Sequence, residues 1–174
     1  MKRILVTGGS GFIGSHIVEH YQGKAEVRVL DNLRTGRREN LSGLECEFLE
    51  GDVSDRAAVA EAVKGVDYIF HLAALVSVPE SMEKIVECNQ INAVGTIVLL
   101  EEAAKAGVKK LILSTSAANY GDNPVSPKVE TMIPEPKSPY SITKLDGEYY
   151  CDMFTTFDLE INVCKKFLSG ERFA

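Results

Sequence analysis

The chain has no tryptophan and only four cysteines and three histidines in 174 residues. Cys46, Cys88, Cys151 and Cys164 are widely spaced, with no C-x-x-C pair. That spacing argues against a zinc site or a disulfide framework, and for reduced, buried thiols. No metal site is expected. No apolar run approaches the roughly 18 residues of a membrane span. The first apolar run stops at Thr7-Gly8, too short for a secretory leader. Positive charge is also scarce: Lys and Arg total 19 against 25 Asp and Glu, a net charge of −6. A nucleic-acid or anionic-membrane surface is therefore not expected. The pairs Arg37-Arg38 and Lys109-Lys110 read as solvated. A reducing, cytoplasmic location follows from these absences.

What is present suits a packed core. Hydrophobic residues make up 45% of the chain, and the length fits one domain. Apolar, β-branched runs alternate with helical stripes. Strands are expected at Ile4–Thr7, Val27–Leu30, Glu47–Leu49, Val66–Leu72, Leu111–Ser114 and Leu159–Cys164. Between them the pattern predicts helices over Phe12–Tyr21, from a Ser54 cap through Val63, over Ser81–Ala106, and over Tyr140–Phe154. Gly107 stops the third, and Ser138-Pro139 starts the fourth. Strands apolar on both faces belong in a parallel sheet covered on both sides. Right-handed crossovers make that an α/β, doubly wound parallel sheet. Five of the six prolines fall in Gly121–Pro139, a stretch too long for a simple connector and of the length of functional or disordered loops.

The glycines concentrate where the first strand meets the first helix, in TGGSGFIGSH. Gly8 allows a tight turn, Gly11 lets a diphosphate approach bare backbone, and Gly14 lets helix and strand pack closely. A diphosphate then sits at the positive end of the helix that begins with Phe12 and Ile13. The spacing is G-x-x-G-x-x-G rather than G-x-G-x-x-G. Asp31 lies 20 residues after Gly11, at the end of the second strand. Its carboxylate suits the adenosine ribose hydroxyls and repels a 2′-phosphate, so NAD is favoured over NADP. Arg34, Arg37 and Arg38 soften that preference, and Asn32 follows in the same turn. Gly51-Asp52-Val53 ends the third strand, either reaching the adenine or making a plain turn. Leu72-Ala73-Ala74 ends the fourth, and its small residues leave room for a cofactor. His71 reads as a core or strand-end histidine.

Tyr140 and Lys144 form Y-x-x-x-K, and residues four apart share a helix face. An ammonium beside a phenol favours the phenolate, which makes a general base. Taken alone, the pair equally fits a buried tyrosine with a surface lysine. Ser114-Thr115-Ser116, however, ends the fifth strand, where open α/β sheets line their ligand crevice. Ser116 can then share a substrate hydroxyl with Tyr140. Asn92, in N-A-V-G-T, either holds a water or backbone group behind the tyrosine or packs helices together.

In order, TGGSGFIGSH, LDNLRTGRREN, EGDVSD, HLAALVSVPES, NQINAVGTIVLLEEA, STSAANYGD and SPYSITK cover nearly all of residues 1–150. With these stretches the chain resembles the extended short-chain dehydrogenase/reductase family, in its nucleotide-sugar epimerase and dehydratase branch. The resemblance implies a Rossmann domain over residues 1–164 that binds NAD through the glycines, Asp31, Asn32, Asp52, Val53, Leu72, Ala73, Ala74, Asn92, Tyr140 and Lys144. It implies Ser116, Tyr140 and Lys144 as the catalytic set. Sugar 4,6-dehydratases carry an Asp-Glu pair where this chain has Ala117 and Ala118. The resemblance is therefore to the epimerases that interconvert UDP-glucose and UDP-galactose through a 4-keto sugar, with a UDP-sugar as partner.

Other members continue past this length with a region that grips the nucleotide sugar, which is missing here. After the sixth strand they read close to R-Y-F-N-V-x-G-P-R, whereas this chain has Lys165-Lys166-Phe167-Leu168-Ser169-Gly170-Glu171-Arg172. Residues 165–174 are thus expected to be an atypical tail. Asn119 stands where a small or β-branched residue is usual. The resemblance also implies a homodimer through the 81–106 and 140–154 helices, with Val98, Leu99, Tyr149 and Met153 supplying apolar surface. A non-catalytic NAD-binding module is the alternative function.

Overall fold

The computed structural model describes residues 1–156 and 162–167. Its strands are β1 (Arg3–Thr7), β2 (Glu26–Asp31), β3 (Glu47–Glu50), β4 (Tyr68–His71), β5 (Lys110–Thr115) and β6 (Asn162–Phe167). All pair in parallel in one sheet, in the order β3-β2-β1-β4-β5-β6. That order is the doubly wound one expected. β1 shows why its residues form a central strand. Leu5 packs into one core with Leu30, Ile69, Leu99 and Leu111. Ile4 and Val6 point into a second core with Val18, Val27 and Val29 on the opposite face. Burying each such side chain contributes about 1.5–3 kcal/mol, so a polar residue at any of these positions would disrupt the sheet.

α1 (Phe12–His20) lies over the second core through Val18, and α2 (Arg56–Ala62), α5 (Gly95–Lys105) and α6 (Pro139–Thr156) lie over the first. α6 starts as its sequence predicts: the Ser138 hydroxyl accepts the Ser141 amide at 3.2 Å, ahead of Pro139. The start of α2 differs. Its cap is Asp55, whose carboxylate accepts the Ala57 amide at 2.9 Å. Ser54 lies one residue before the cap, and its hydroxyl donates to Asp52 at 2.7 Å.

The single helix expected over Ser81–Ala106 is in fact three helices and a π-helical turn. α3 (Val78–Glu83) is capped by Ser77 and has Pro79 in its first turn. Lys84 breaks the run, with φ −122° and ψ 55°. α4 (Ile85–Asn89), the π-helical turn Gln90–Val94 and then α5 follow. β6 is offset from the expected Leu159–Cys164. Residues 159–161 lie outside the described residues. The expected domain boundary after residue 164 falls within β6, and most of the tail, 168–174, lies outside the described residues.

One buried charge has no counterpart in the sequence reading. Arg28, in the middle of β2, is only 6% exposed. Its Nη1 donates to the carbonyls of Ala62 at 2.8 Å and Lys64 at 3.0 Å, and its Nε to Glu47 at 2.8 Å. The guanidinium thus closes the C-terminal end of α2, where a cation is favoured. Among the described residues no helix is long and apolar enough to cross a membrane.

Candidate functional site

The strand order reverses between β1 and β4, so the loops leaving their carboxyl ends diverge and open a crevice. A cleft of about 560 Å3 occupies it. Its floor is bare backbone. Gly8 has φ +70°, and a Cβ there would lie 2.7 Å from the Ala73 nitrogen. A Cβ on Gly14 would lie 2.3 Å from the Gly8 carbonyl oxygen. A Cβ on Gly11 would meet only that same oxygen, at 3.3 Å, and Gly11 lines the cleft. The first-turn amides of α1, at Phe12 and Ile13, have no carbonyl one turn back to receive them. An anion is favoured at such a helix end.

The wall after β2 is built around Asp31. Its carboxylate accepts the Ser10 amide at 2.9 Å and the Leu33 amide at 2.8 Å. The second bond holds Leu33 at φ +56°, a left-handed conformation rarely taken by leucine. Asn32 accepts the Arg34 amide at 3.0 Å and donates to Asp52 at 2.6 Å, which joins the loops after β2 and β3. Burial works against the charged form of Asp52, but bonds from Ser54 and Asn32 and the Arg34 charge hold its carboxyl below the ordinary value. Val53 lines the cleft beside it.

The opposite end holds the titratable pair. Lys144 lies in α6 under the cleft, 8% exposed, with Nζ donating to the Ser114 carbonyl at 3.0 Å. Burial pulls its ammonium down from 10.5 to about 8. Nζ sits 6.0 Å from the centroid of the Tyr140 ring. The hydroxyl of Ser116 accepts the Ala118 amide at 3.2 Å, capping the short turn Ala117–Tyr120. Ser116, Tyr140 and Lys144 line the same cleft as the glycines.

The model of the family described as "NAD dependent epimerase/dehydratase family" matches residues 4–164. The chain belongs to that family. Among curated proteins it is 40% identical over 154 residues to the UDP-glucose 4-epimerase of Neisseria meningitidis serogroup C, covering 83% of this chain and 45% of that protein. It is 41% identical over 138 residues to a UDP-glucose 4-epimerase sequence of Klebsiella pneumoniae, covering 74% of this chain and 99% of that sequence. Among solved structures, UDP-glucose 4-epimerase with UDP-glucose from Thermotoga maritima superposes with TM-score 0.88 at 39% identity, covering 94% of this chain and 54% of that one. The UDP-glucose 4-epimerase of Brucella ovis in complex with NAD superposes with TM-score 0.89 at 30% identity, covering 96% and 51%. Apart from the Klebsiella sequence, the chain spans about half the length of these relatives.

In this epimerase/dehydratase-family chain, every residue expected at the site lines the cleft except Asn92. Asn92 is buried in the π-helical turn. Its side chain accepts the Leu75 amide at 2.7 Å and donates to the Leu75 carbonyl at 3.1 Å and to Thr143 Oγ1 at 3.1 Å. Its polar atoms are committed to protein groups, so it holds a backbone group, as one of its expected roles had it, and clamps the loop after β4 to α6. Thr143 is the residue before Lys144, so this clamp bears directly on the site. The long helix departs from α geometry where Asn92 turns inward, as π-bulges often do at functional sites.

His71 proves to be a core histidine, 2% exposed. The Thr96 hydroxyl gives its only proton to the Asn92 carbonyl at 2.5 Å, so at 3.0 Å it accepts from His71 Nε2. That pattern assigns Nδ1 as the acceptor for the Thr7 hydroxyl at 2.7 Å. Thr7 Oγ1 in turn accepts the amides of Leu72 and Ala73, both at 3.2 Å. The neutral imidazole therefore fixes the turn beside Gly8. Burial, with a smaller effect from Lys144, pulls its pKa down to about 3.

Thr35, Gly36, Val76 and Ile91 also line the cleft, though no spacing singled them out. Gly9 matters as well: a Cβ there would lie 2.6 Å from a Val29 methyl, so the glycine loop's approach to β2 depends on it. The side-by-side G-G could have marked it.

Proposed function

We propose that this chain binds NAD in the cleft and epimerises a UDP-sugar at C4, with Tyr140 as the base. One observation carries the reading: a backbone cradle closed to side chains and a Tyr-x-x-x-Lys pair with its lysine buried open on the same cleft. The cradle fits a dinucleotide. Gly8, Gly11 and Gly14 and the amides of Phe12 and Ile13 receive the diphosphate. Asp31 and Asn32 take the adenosine ribose, and Asp52 and Val53 border the adenine. Leu72, Ala73 and Ala74 leave room for the nicotinamide end beside Tyr140 and Lys144.

NAD, when bound, supplies the two-electron acceptor that each turnover regenerates. Tyr140 removes the proton of the sugar 4-hydroxyl, while the Ser116 hydroxyl holds the same oxygen. Tyr140 acts here as the phenolate, whose negative charge the Lys144 ammonium stabilises until the proton neutralises it. After the 4-keto sugar turns in the site, Tyr140 returns the proton to the new hydroxyl. Ala117 and Ala118 offer no carboxylate for water loss, which favours epimerisation over dehydration.

The assay is conversion of UDP-galactose to UDP-glucose by the full chain with NAD. Turnover that falls at least about 100-fold in Tyr140→Phe supports the base assignment; unchanged turnover in that variant overturns it. The cofactor cleft is complete within the described residues, so the second reading is an NAD-binding module without turnover. Tight NAD binding with no conversion of either UDP-sugar would select it.

The homodimer is proposed on a corrected surface. Val98 and Leu99 are core residues, 5% and 0% exposed, because α5 turns them toward the sheet. Val78, Met82, Ile85, Val86 and Ile142, with Tyr149 and Met153, are the exposed large apolar residues on α3, α4 and α6. Covering them in a second copy's matching face removes them from water. A monomeric sedimentation profile would count against it.

A further inference from the structure

A bridge of charge crosses the cleft. Arg34 lines its wall after β2, and Nη2 lies 2.8 Å from Oε1 of Glu80 in α3 and 2.8 Å from Oε1 of Glu87 in α4. Val76, just before α3, and Ile91, just after α4, line the cleft from the wall after β4. The two ends of the bridge therefore belong to opposite walls. Its anchors are set by their own surroundings. The Asp31 and Asn32 side chains hold the Leu33 and Arg34 amides, which fixes where Arg34 leaves the backbone. Lys84 reaches Glu80 at 2.9 Å and Glu87 at 3.8 Å, so the two carboxylates are balanced by two cations. α3 and α4 also pack on α6, so the far anchor moves with the helix that carries Tyr140 and Lys144.

We propose that Arg34, Glu80 and Glu87 form a strap across the cleft that retains a bound dinucleotide and slows its release. This rests on the reading of the cleft as a dinucleotide site. Widening the cleft separates the β2 wall from α3, α4 and α6, and the strap is an ionic link between those two bodies at this point. Each exposed pair is weak in isolation. Two pairs sharing one guanidinium set release slower by about fivefold.

The test loads the full chain with radiolabelled NAD and chases with unlabelled NAD. Release is timed for the native chain, for Arg34→Met, and for the double variant Glu80→Gln with Glu87→Gln. The strap predicts release about fivefold faster in both variants, with melting temperatures lowered by no more than about 4 °C. It also predicts that native release quickens from about 0.05 to 0.5 M NaCl, as screening weakens exposed pairs, while both variants stay flat. The glutamine variant separates a strap from a direct grip by Arg34 on the cofactor, because it leaves Arg34 in place. Native release rates in that variant, or salt-independent release in the native chain, overturn the strap and leave the site intact. Failure of the native chain to retain any NAD overturns the dinucleotide site and the strap together.

Discussion

Replacing Gly14 with alanine tests the cradle most directly. The new Cβ would sit 2.3 Å from the Gly8 carbonyl oxygen, 2.7 Å from Gly9 Cα and 3.0 Å from the Gly8 carbonyl carbon. All three are backbone atoms, so no side chain can swing away. Restoring an ordinary contact of 3.4 Å to the oxygen needs 3.4 − 2.3 = 1.1 Å of movement. α1 must lift from the glycine loop by about that distance. Overpacking of this kind costs about 1–3 kcal/mol, and a backbone clash belongs at the upper end. Alanine returns about 1 kcal/mol of helix propensity, because Gly14 lies inside α1. The net loss is about 2 kcal/mol, a fall in Tm of about 4–8 °C for a chain of this size. The lift also moves the amides of Phe12 and Ile13 away from the loop, so NAD affinity should fall more than stability does. Circular dichroism melting and calorimetric titration with NAD measure the two separately. A variant that melts with the native chain and binds NAD as tightly would refute the packing argument for the cradle.

Three further outcomes are expected. His71 is neutral in the fold with a pKa near 3, against 6.5 unfolded, so the unfolded chain binds more protons between those values. Stability attributable to His71 should therefore be full above pH 6.5 and fall by up to about 4–5 kcal/mol as pH drops towards 3. Urea midpoints of the native chain and His71→Gln, compared from pH 7 to pH 4, measure it, and parallel curves count against it. Lys144 follows the same sign in a higher window: its folded pKa of about 8 lies below 10.5, so the penalty of burying its charge is full below pH 8 and is relieved as pH rises towards 10.5. Lys144→Met should then be more stable than the native chain at pH 7, by about 1–2 kcal/mol after loss of the bond to Ser114, while losing the proposed epimerase turnover. Asp55→Ala removes the cap of α2 and should cost about 1 kcal/mol, whereas Ser54→Ala should cost less at that helix start, in paired chemical denaturation.

The strands were legible because β1, β2, β4 and β5 carry apolar residues on both faces, a pattern that only a covered parallel sheet satisfies. The glycine loop and Asp31 were legible because their spacing follows from a strand-turn-helix unit of nearly fixed dimensions. The breaks in the 78–105 segment were not. Every residue from Ile85 to Lys105 is compatible with a continuous helix, and the π-helical turn forms where Asn92 finds Leu75 and Thr143, residues distant in the chain. Arg28 was equally hidden: within Val27–Leu30 it reads as an interruption, and only the end of α2 supplies the carbonyls that accept it. Both Ser54 and Asp55 are good cap residues by type, and only the folded backbone shows that Asp55 stands at the cap position.

From the sequence alone came the strand order's raw material, the bare backbone at the first crossover and the Tyr140–Lys144 spacing, because each is a matter of local periodicity and residue size. Folding in three dimensions decided the rest: that Lys144 is desolvated against Ser114, that His71 is neutral, and that Arg34 meets Glu80 and Glu87 across the cleft. Burial and charge pairing depend on which segments become neighbours, and a linear pattern holds no distance between residues 46 or 53 positions apart.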